Sequence, residues 1–329
     1  MTSSDLHLTD YMSKDVQMVP IRKGFGEGLL KAGGLDENVV AASADLAEST
    51  QVHLFKEAYP DRFFEIGIAE QNLVTVGAGL AAMGKIPFVS SYASFNPGRC
   101  WEQIRTTICL NNQPVKLVGS HAGLYTGADG ATHQMLEDLA LMRVLPNMVV
   151  LAPGDSVEAE KATLAIALDK RPCYIRMARE ATPVFTTEKT PFVIGKAYVL
   201  ETGRDLTIVS TGTMTFPALS AAQKLFKDGI DVEVVHVPTI KPFDALTIIQ
   251  SASKTGAVIT IEEGQIIGGL GSAVAEVLAE NKPTPMRRMG MKDHFGESGK
   301  PTELLEHFGL TDKHIMMTAH ELLTSIGKQ

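Results

Sequence analysis

The amino-acid sequence predicts an α/β protein of two doubly wound domains in series. Three observations carry that reading. Short apolar runs alternate with helix-patterned segments along most of the chain, the pattern of a parallel sheet covered by helices on both faces. The alternation stops once, where Pro183, Pro191 and several threonines interrupt any periodicity, and then restarts. The length of 329 residues is enough for two domains at roughly 150 residues each, with a core that needs no disulfide staples.

The elements follow in order. Residues 1–16 are polar and aperiodic, the composition of a flexible arm. The first domain is placed at residues 17–182. Arg22 to Leu30 reads as helix and Asn38 to Ser43 as a short buried strand. Phe63 to Gly67 is strand-like and leads into a helix from Gln71 to Met83. Ile86 to Ser90, Val115 to Gly119, Met148 to Ala152 and Cys173 to Arg176 read as strands, and Ser156 to Leu168 as helix. Residues 183–195 form the linker. In the second domain, residues 196–329, strands are read at Leu206 to Ser210, Val232 to Val237 and Ala257 to Ile261. Helices are read at Phe216 to Lys227 and Leu270 to Glu280. No internal repeat or low-complexity tract is present.

Composition excludes several function classes. Hydrophobic residues are 44% and charged residues 21%, ordinary for a globular protein and wrong for a disordered one. The net charge of −8 repels phosphate backbones, so nucleic acid is not an expected partner. The first residues lack the apolar core of a secretory signal, and no run of 18 apolar residues points to a membrane span. Cys100, Cys109 and Cys173 are odd in number and lack CxxC spacing, which reads as three reduced thiols in a cytoplasmic protein.

Few segments carry chemistry. Gly268-Gly-Leu-Gly271 follows a strand and opens a helix, where either a phosphate cradle or a tight turn fits. It lacks the dinucleotide fingerprint, and no P-loop exists. Glu70 stands among apolar residues at a strand-to-helix junction. A carboxylate there is either partly buried and able to share a proton, or a capping or salt-bridged glutamate. Spacing alone leaves both open.

The richest stretch is Ser120 to Gln134, which follows a strand and holds His121, Asp129, His133 and three glycines. Loops at the carboxyl ends of parallel strands are where α/β folds bind ligands, so these three side chains can converge as donors, acceptors and proton shuttles. His-x7-Asp-x3-His matches no familiar zinc spacing. Arg22, Arg176 and Arg179 lie at presumed element ends, suited to phosphate or to ordinary salt bridges. Tyr92 and Phe95 follow a strand, where they could stack on a planar ring or pack the core.

Together, Ser43-Ala-Asp-Leu46, Gly67-Ile-Ala-Glu-Gln71, Gly127-Ala-Asp-Gly-Ala-Thr-His-Gln134, Leu145-Pro-Asn-Met148 and Phe295-Gly-Glu-Ser-Gly299 resemble the thiamine-diphosphate enzymes, most closely transketolase. The motifs keep the family's order and cover the carboxy-terminal half of transketolase. The resemblance implies a pyrimidine-binding thiamine-diphosphate fold domain followed by a transketolase carboxy-terminal domain. Family members hold the cofactor diphosphate through Mg²⁺ at a Gly-Asp-Gly motif, which this sequence lacks. The resemblance therefore implies the carboxy-terminal subunit of a split transketolase. Its partner would be an amino-terminal subunit carrying the diphosphate-binding domain, and two copies of each would form an α2β2 assembly.

Roles are implied position by position. Glu70 resembles the glutamate that hydrogen-bonds the 1′ nitrogen of the aminopyrimidine, with Tyr92 and Phe95 as the aromatic wall. Asp45 and Leu46 are expected near the thiazolium. His133 and Asp129 resemble the pair that contacts sugar hydroxyls, with His133 also catalytic. Arg22, Ser49, His121 and Arg179 resemble the sugar-phosphate clamp. Ala128 stands where transketolases carry an acid, as in 1-deoxyxylulose-5-phosphate synthase, whereas His121 and Phe295 to Gly299 favour transketolase. The rival readings are a subunit of such a synthase, a 2-oxo-acid dehydrogenase beta chain, and a non-catalytic regulatory protein on the same fold.

Overall fold

A computed structural model describes residues 6–328. Residues 1–5 of the expected arm lie outside that range. Buried apolar runs become parallel strands. In the first domain the strands Val39–Ser43, Phe63–Glu65, Ile86–Tyr92, Lys116–Ser120, Val149–Leu151 and Cys173–Arg176 are all mutually parallel where they pair. Val39–Ser43 and Lys116–Ser120 are buried at every position, because helices cover both faces; the one charged group in them, the Lys116 ammonium, donates to the Asp169 and Arg171 carbonyls at 2.6 and 2.9 Å. Among the helices, Ile21–Leu35 and Ser156–Leu168 pack against each other. Gly24 and Gly28 permit the approach: a Cβ on Gly24 would lie 1.8 Å from the Ser156 carbonyl oxygen.

The second domain has its own sheet, in the order Met286–Met291, Val258–Gln265, Leu206–Ser210, Val232–His236, Tyr198–Glu201. All pair in parallel except Tyr198–Glu201, which is antiparallel. Helices Thr215–Lys227, Ala245–Thr255, Leu270–Asn281, Pro301–His307 and Asp312–Ser325 accompany it.

The domains are not independent beads. Thr239–Lys241, from the second domain, pairs antiparallel with Val149–Leu151 and forms the edge of the first domain's sheet. Met18–Pro20 pairs antiparallel with Ala181–Pro183, closing the first domain's two ends on each other. The segment expected to be a flexible arm differs from that expectation in residues 6–16. Leu6 and Tyr11 are buried, Thr9 N–H donates to the Phe185 carbonyl at 3.0 Å, and the Tyr11 hydroxyl bonds Glu201. A few apolar side chains, Leu6, Leu8 and Tyr11, join the second domain's core, and hydrogen bonds hold the polar backbone between them, a pattern too sparse to show as periodicity. Among the described residues, no helix is long and apolar enough to cross a membrane.

Candidate active site

The sheet order Cys173–Arg176, Lys116–Ser120, Ile86–Tyr92, Val39–Ser43, Phe63–Glu65 places the segments that follow these strands side by side. Arg179, His121, Tyr92 with Phe95, Asp45 with Leu46, and Glu70 therefore line one edge of one sheet. The loop geometry is set by backbone conformations that side chains rarely adopt. His121 has φ +55° and Asp45 φ +61°, and each turns the chain sharply as it leaves its strand.

Glu70 opens the helix Glu70–Ala82 and is 1% exposed. Of the two readings of this residue, the buried and salt-bridged elements both appear. Arg99 donates from Nη1 to Glu70 Oε2 at 2.6 Å, and Ser91 Oγ lies 3.5 Å from Oε1. The helix N-terminus adds a favourable dipole for the carboxylate. Beside it, the Tyr92 and Phe95 rings lie 6.3 Å apart and within 20° of parallel, and Phe95 carries the Arg99 guanidinium 4.6 Å above its centre. Asn96, which follows, turns inward and donates to the Val89 and Val118 carbonyls, so it serves the sheet.

His121 stacks on Tyr92 with ring centres 3.8 Å apart, and its Nδ1 is 2.9 Å from Ser120 Oγ. Burial, then the Arg22 and Arg179 charges and His133, push the imidazole down to about 3. It is therefore neutral at physiological pH and acts as a hydrogen-bonding group. The positive charge belongs to the arginines. Arg22 donates to the Arg179 carbonyl at 3.1 Å and the Ser49 carbonyl at 2.5 Å. Burial and the neighbouring Arg179 lower its pKa. Ser49 enters through its backbone oxygen. Arg179 reaches the Thr126 carbonyl at 3.1 Å and Asp129 at 3.4 Å. The two guanidinium groups are near enough for Arg179 to disfavour the Arg22 charge, and an anion there would compete with Asp129 and Glu180, each 3.4 Å from Arg179.

His133 is half-buried, edge-on to Phe95 at 5.5 Å, with Nδ1 2.9 Å from Thr132 Oγ1. Leu46 is half-buried, and its N–H donates to Ser43 Oγ. Asp45 is exposed, and its N–H donates to Glu65 Oε1 at 2.8 Å. Glu65 also accepts from Gly67 N–H at 2.9 Å, tying the Asp45 turn to the turn before Glu70.

Two elements of the second domain hold the site loop. Glu263 accepts from the Tyr125 N–H at 2.6 Å, and the Thr213 hydroxyl also bonds it. Gly296 to Ser298 clamp the far side: Gln134 donates to the Glu297 carbonyl at 2.8 Å and Ser298 to the Ala128 carbonyl at 2.8 Å. Arg176 does not face the site. It is buried against Asp138 at 2.9 Å and donates to the Glu263 carbonyl at 2.6 Å. The Gly268 to Gly271 turn is filled by the chain itself. Glu262 accepts from the Leu270 and Gly271 N–H groups at 2.8 Å each, where a phosphate would sit. Burial pushes this carboxyl up to about 7.

Residues 17–184 match the family model described as transketolase, pyrimidine binding domain, and residues 195–315 match transketolase, C-terminal domain. The chain belongs to the transketolase family. It is 46% identical over 298 residues to a putative transketolase C-terminal section of Methanocaldococcus jannaschii, covering 90% of this chain and 93% of that one. It is 43% identical to the 6-deoxy-6-sulfo-D-fructose transketolase subunit SqwH of a Clostridium species, covering 92% and 94%. Among solved structures it is similar to a split gene transketolase in the form of an inactive beta4 tetramer. That match has a TM-score of 0.88 and 44% identity, over 93% of this chain and 99% of that one. The chain thus corresponds to the carboxy-terminal section of transketolase.

Four residues that the structure brings against these groups were missed in the sequence: Arg99, Ser91, Glu65 and Glu263. Arg99 carried one signal, its four-residue spacing from Phe95, which suits stacking across a single turn. Glu263 carried none, because its contact crosses 138 positions of sequence.

Proposed function

We propose that this chain is the carboxy-terminal subunit of a two-subunit transketolase. With its partner it transfers a two-carbon ketol group from a ketose phosphate to an aldose phosphate. The observation that carries the reading is the buried Glu70 carboxylate beside the paired Tyr92 and Phe95 rings, next to the Arg22, Arg179 and His121 cluster. These groups fit the aminopyrimidine end of thiamine diphosphate: a flat apolar wall for the ring and a carboxyl for its 1′ nitrogen. When bound, the cofactor supplies the reactive carbon that carries the two-carbon unit.

The chain's own residues position and protonate. Glu70 hydrogen-bonds the 1′ nitrogen and governs its proton. Tyr92 and Phe95 fix the ring, with Asp45 and Leu46 beside the thiazolium. Arg22 and Arg179 bind the substrate phosphate. His121 offers Nε2 to it as a neutral partner, its Nδ1 being tied to Ser120. His133 and Asp129 meet the sugar hydroxyls, His133 also moving a proton at the reacting carbon. Ser49 supports the clamp by holding Arg22.

Mg²⁺ and the diphosphate are assigned to an amino-terminal subunit, because this sequence has no Gly-Asp-Gly. Relatives named as single subunits support the division. One is SqwH, and another is an apulose-4-phosphate transketolase subunit of Phocaeicola vulgatus, 37% identical over 93% of this chain and 98% of that one. An α2β2 assembly with this chain dimeric at its centre suits the exposed Phe64 and Ile68 just before Glu70. The three unpaired, buried cysteines suit a reducing cytoplasm.

The donor test separates this reading from the synthase-like one. Xylulose 5-phosphate is expected to support turnover by the reconstituted enzyme and pyruvate is not. Turnover with pyruvate alone would overturn the assignment.

A further inference from the structure

In the role proposed above, the Glu70 carboxyl must face an aminopyrimidine nitrogen and Phe95 must offer its ring. In this structure one side chain contacts both. The Arg99 guanidinium bonds Glu70 Oε2 at 2.6 Å and lies over Phe95 at 4.6 Å from the ring centre. Yet Arg99 is no buried fixture, for its side chain is 46% exposed while that of Glu70 is 1% exposed. A buried carboxylate left without a partner is costly, so an empty pyrimidine site needs a counter-charge. A half-exposed arginine can supply it and give it up, because water takes over its hydrogen bonds as it leaves.

We propose that Arg99 is a latch on the pyrimidine site: it partners Glu70 while the site is empty and is displaced when the cofactor binds. The inference rests on the proposed role of Glu70. Arg99 and the cofactor cannot comfortably share the carboxyl. The Arg99 guanidinium already fills the Oε2 lone pair at 2.6 Å and lies over the Phe95 ring at 4.6 Å, so an aminopyrimidine can reach that oxygen and that ring only if Arg99 moves aside. Affinity is then reduced by the fraction of time the latch is closed. Removing the charge while keeping the stem over Phe95 should therefore tighten binding, the reverse of what a merely supporting arginine would show.

The test is calorimetric titration of thiamine diphosphate, with Mg²⁺ present, into the complex of the full chain and its amino-terminal partner. Arg99→Met is expected to lower Kd by about tenfold, the factor for a site closed about 90% of the time. Arg99→Lys, which keeps the charge, is expected to stay within about threefold of wild type. Arg99→Gln serves if the methionine variant fails to assemble, with tighter binding again expected. Equal or weaker binding by a folded, assembled neutral variant overturns the latch and leaves the role of Glu70 standing. If wild type binds no cofactor with any partner, the role of Glu70 falls, and the latch with it.

Discussion

His121 shows how a single residue's setting changes its chemistry. Stacked on Tyr92 and flanked by Arg22 and Arg179, its imidazole is pushed down to about 3, so it stays neutral where a free histidine would charge. The linkage has a definite sign. Below about pH 6.5 the unfolded chain binds a proton that the folded chain refuses. Folded stability therefore falls as pH drops from about 6.5 toward about 3, and this contribution is flat above 6.5. His121→Asn, which tolerates the left-handed backbone, is expected to flatten that slope by up to about 1.4 kcal/mol per pH unit. Urea unfolding between about pH 4.5 and pH 7 checks it, and an unchanged slope would contradict the assignment. Glu70 is the companion case. Glu70→Ala is expected to lower kcat by at least about a hundredfold while the subunits still assemble. Sedimentation and a turnover assay on the same sample measure both.

At the scale of elements, the site is a set of strand ends steadied by a loop. Strands buried on both faces were legible because apolar and β-favouring residues dominate each: Cys173–Arg176 and Leu206–Ser210 fall where the sequence places them. Met286–Met291 was not legible, because it is an edge strand whose first three residues are half-buried or exposed, two of them arginines. Thr239–Lys241 was hidden by Pro238 and Pro242 on either side, and its pairing with the other domain leaves no local trace. The site loop was legible as a cluster of histidines and an aspartate, but its support was not. Gly123 sits at φ +76°, where a Cβ would meet Glu263 Oε1 at 2.3 Å. Gly123→Ala is therefore expected to destabilise the protein by about 1–3 kcal/mol or more, read from the urea midpoint. It should also raise the substrate KM in the assembled enzyme, because Tyr125 and the loop beyond it lose their anchor. A variant with wild-type stability and KM would show that Glu263 does not hold the loop.

For the whole molecule, two family domains in series are joined more deeply than a linker implies. The buried Arg176–Asp138 pair lies within the first domain, yet Arg176 also donates to the Glu263 carbonyl of the second. The edge strand Thr239–Lys241 adds backbone bonds between them. A single cooperative thermal transition is expected in calorimetry, and two resolved transitions would contradict the coupling. Asp138→Ala leaves a buried guanidinium without its counter-charge and is expected to cost about 3–5 kcal/mol.

The two joined domains carry a buried carboxylate beside an aromatic pair, and the sequence has no Gly-Asp-Gly, which together are the ground for proposing half of a cofactor site. Reconstitution tests this claim most directly. This chain, a candidate amino-terminal subunit bearing Gly-Asp-Gly, and the two mixed are each assayed with thiamine diphosphate, Mg²⁺, xylulose 5-phosphate and an aldose phosphate acceptor. Ketol transfer is expected from the mixture alone. Transfer by this chain in the absence of any partner would contradict it.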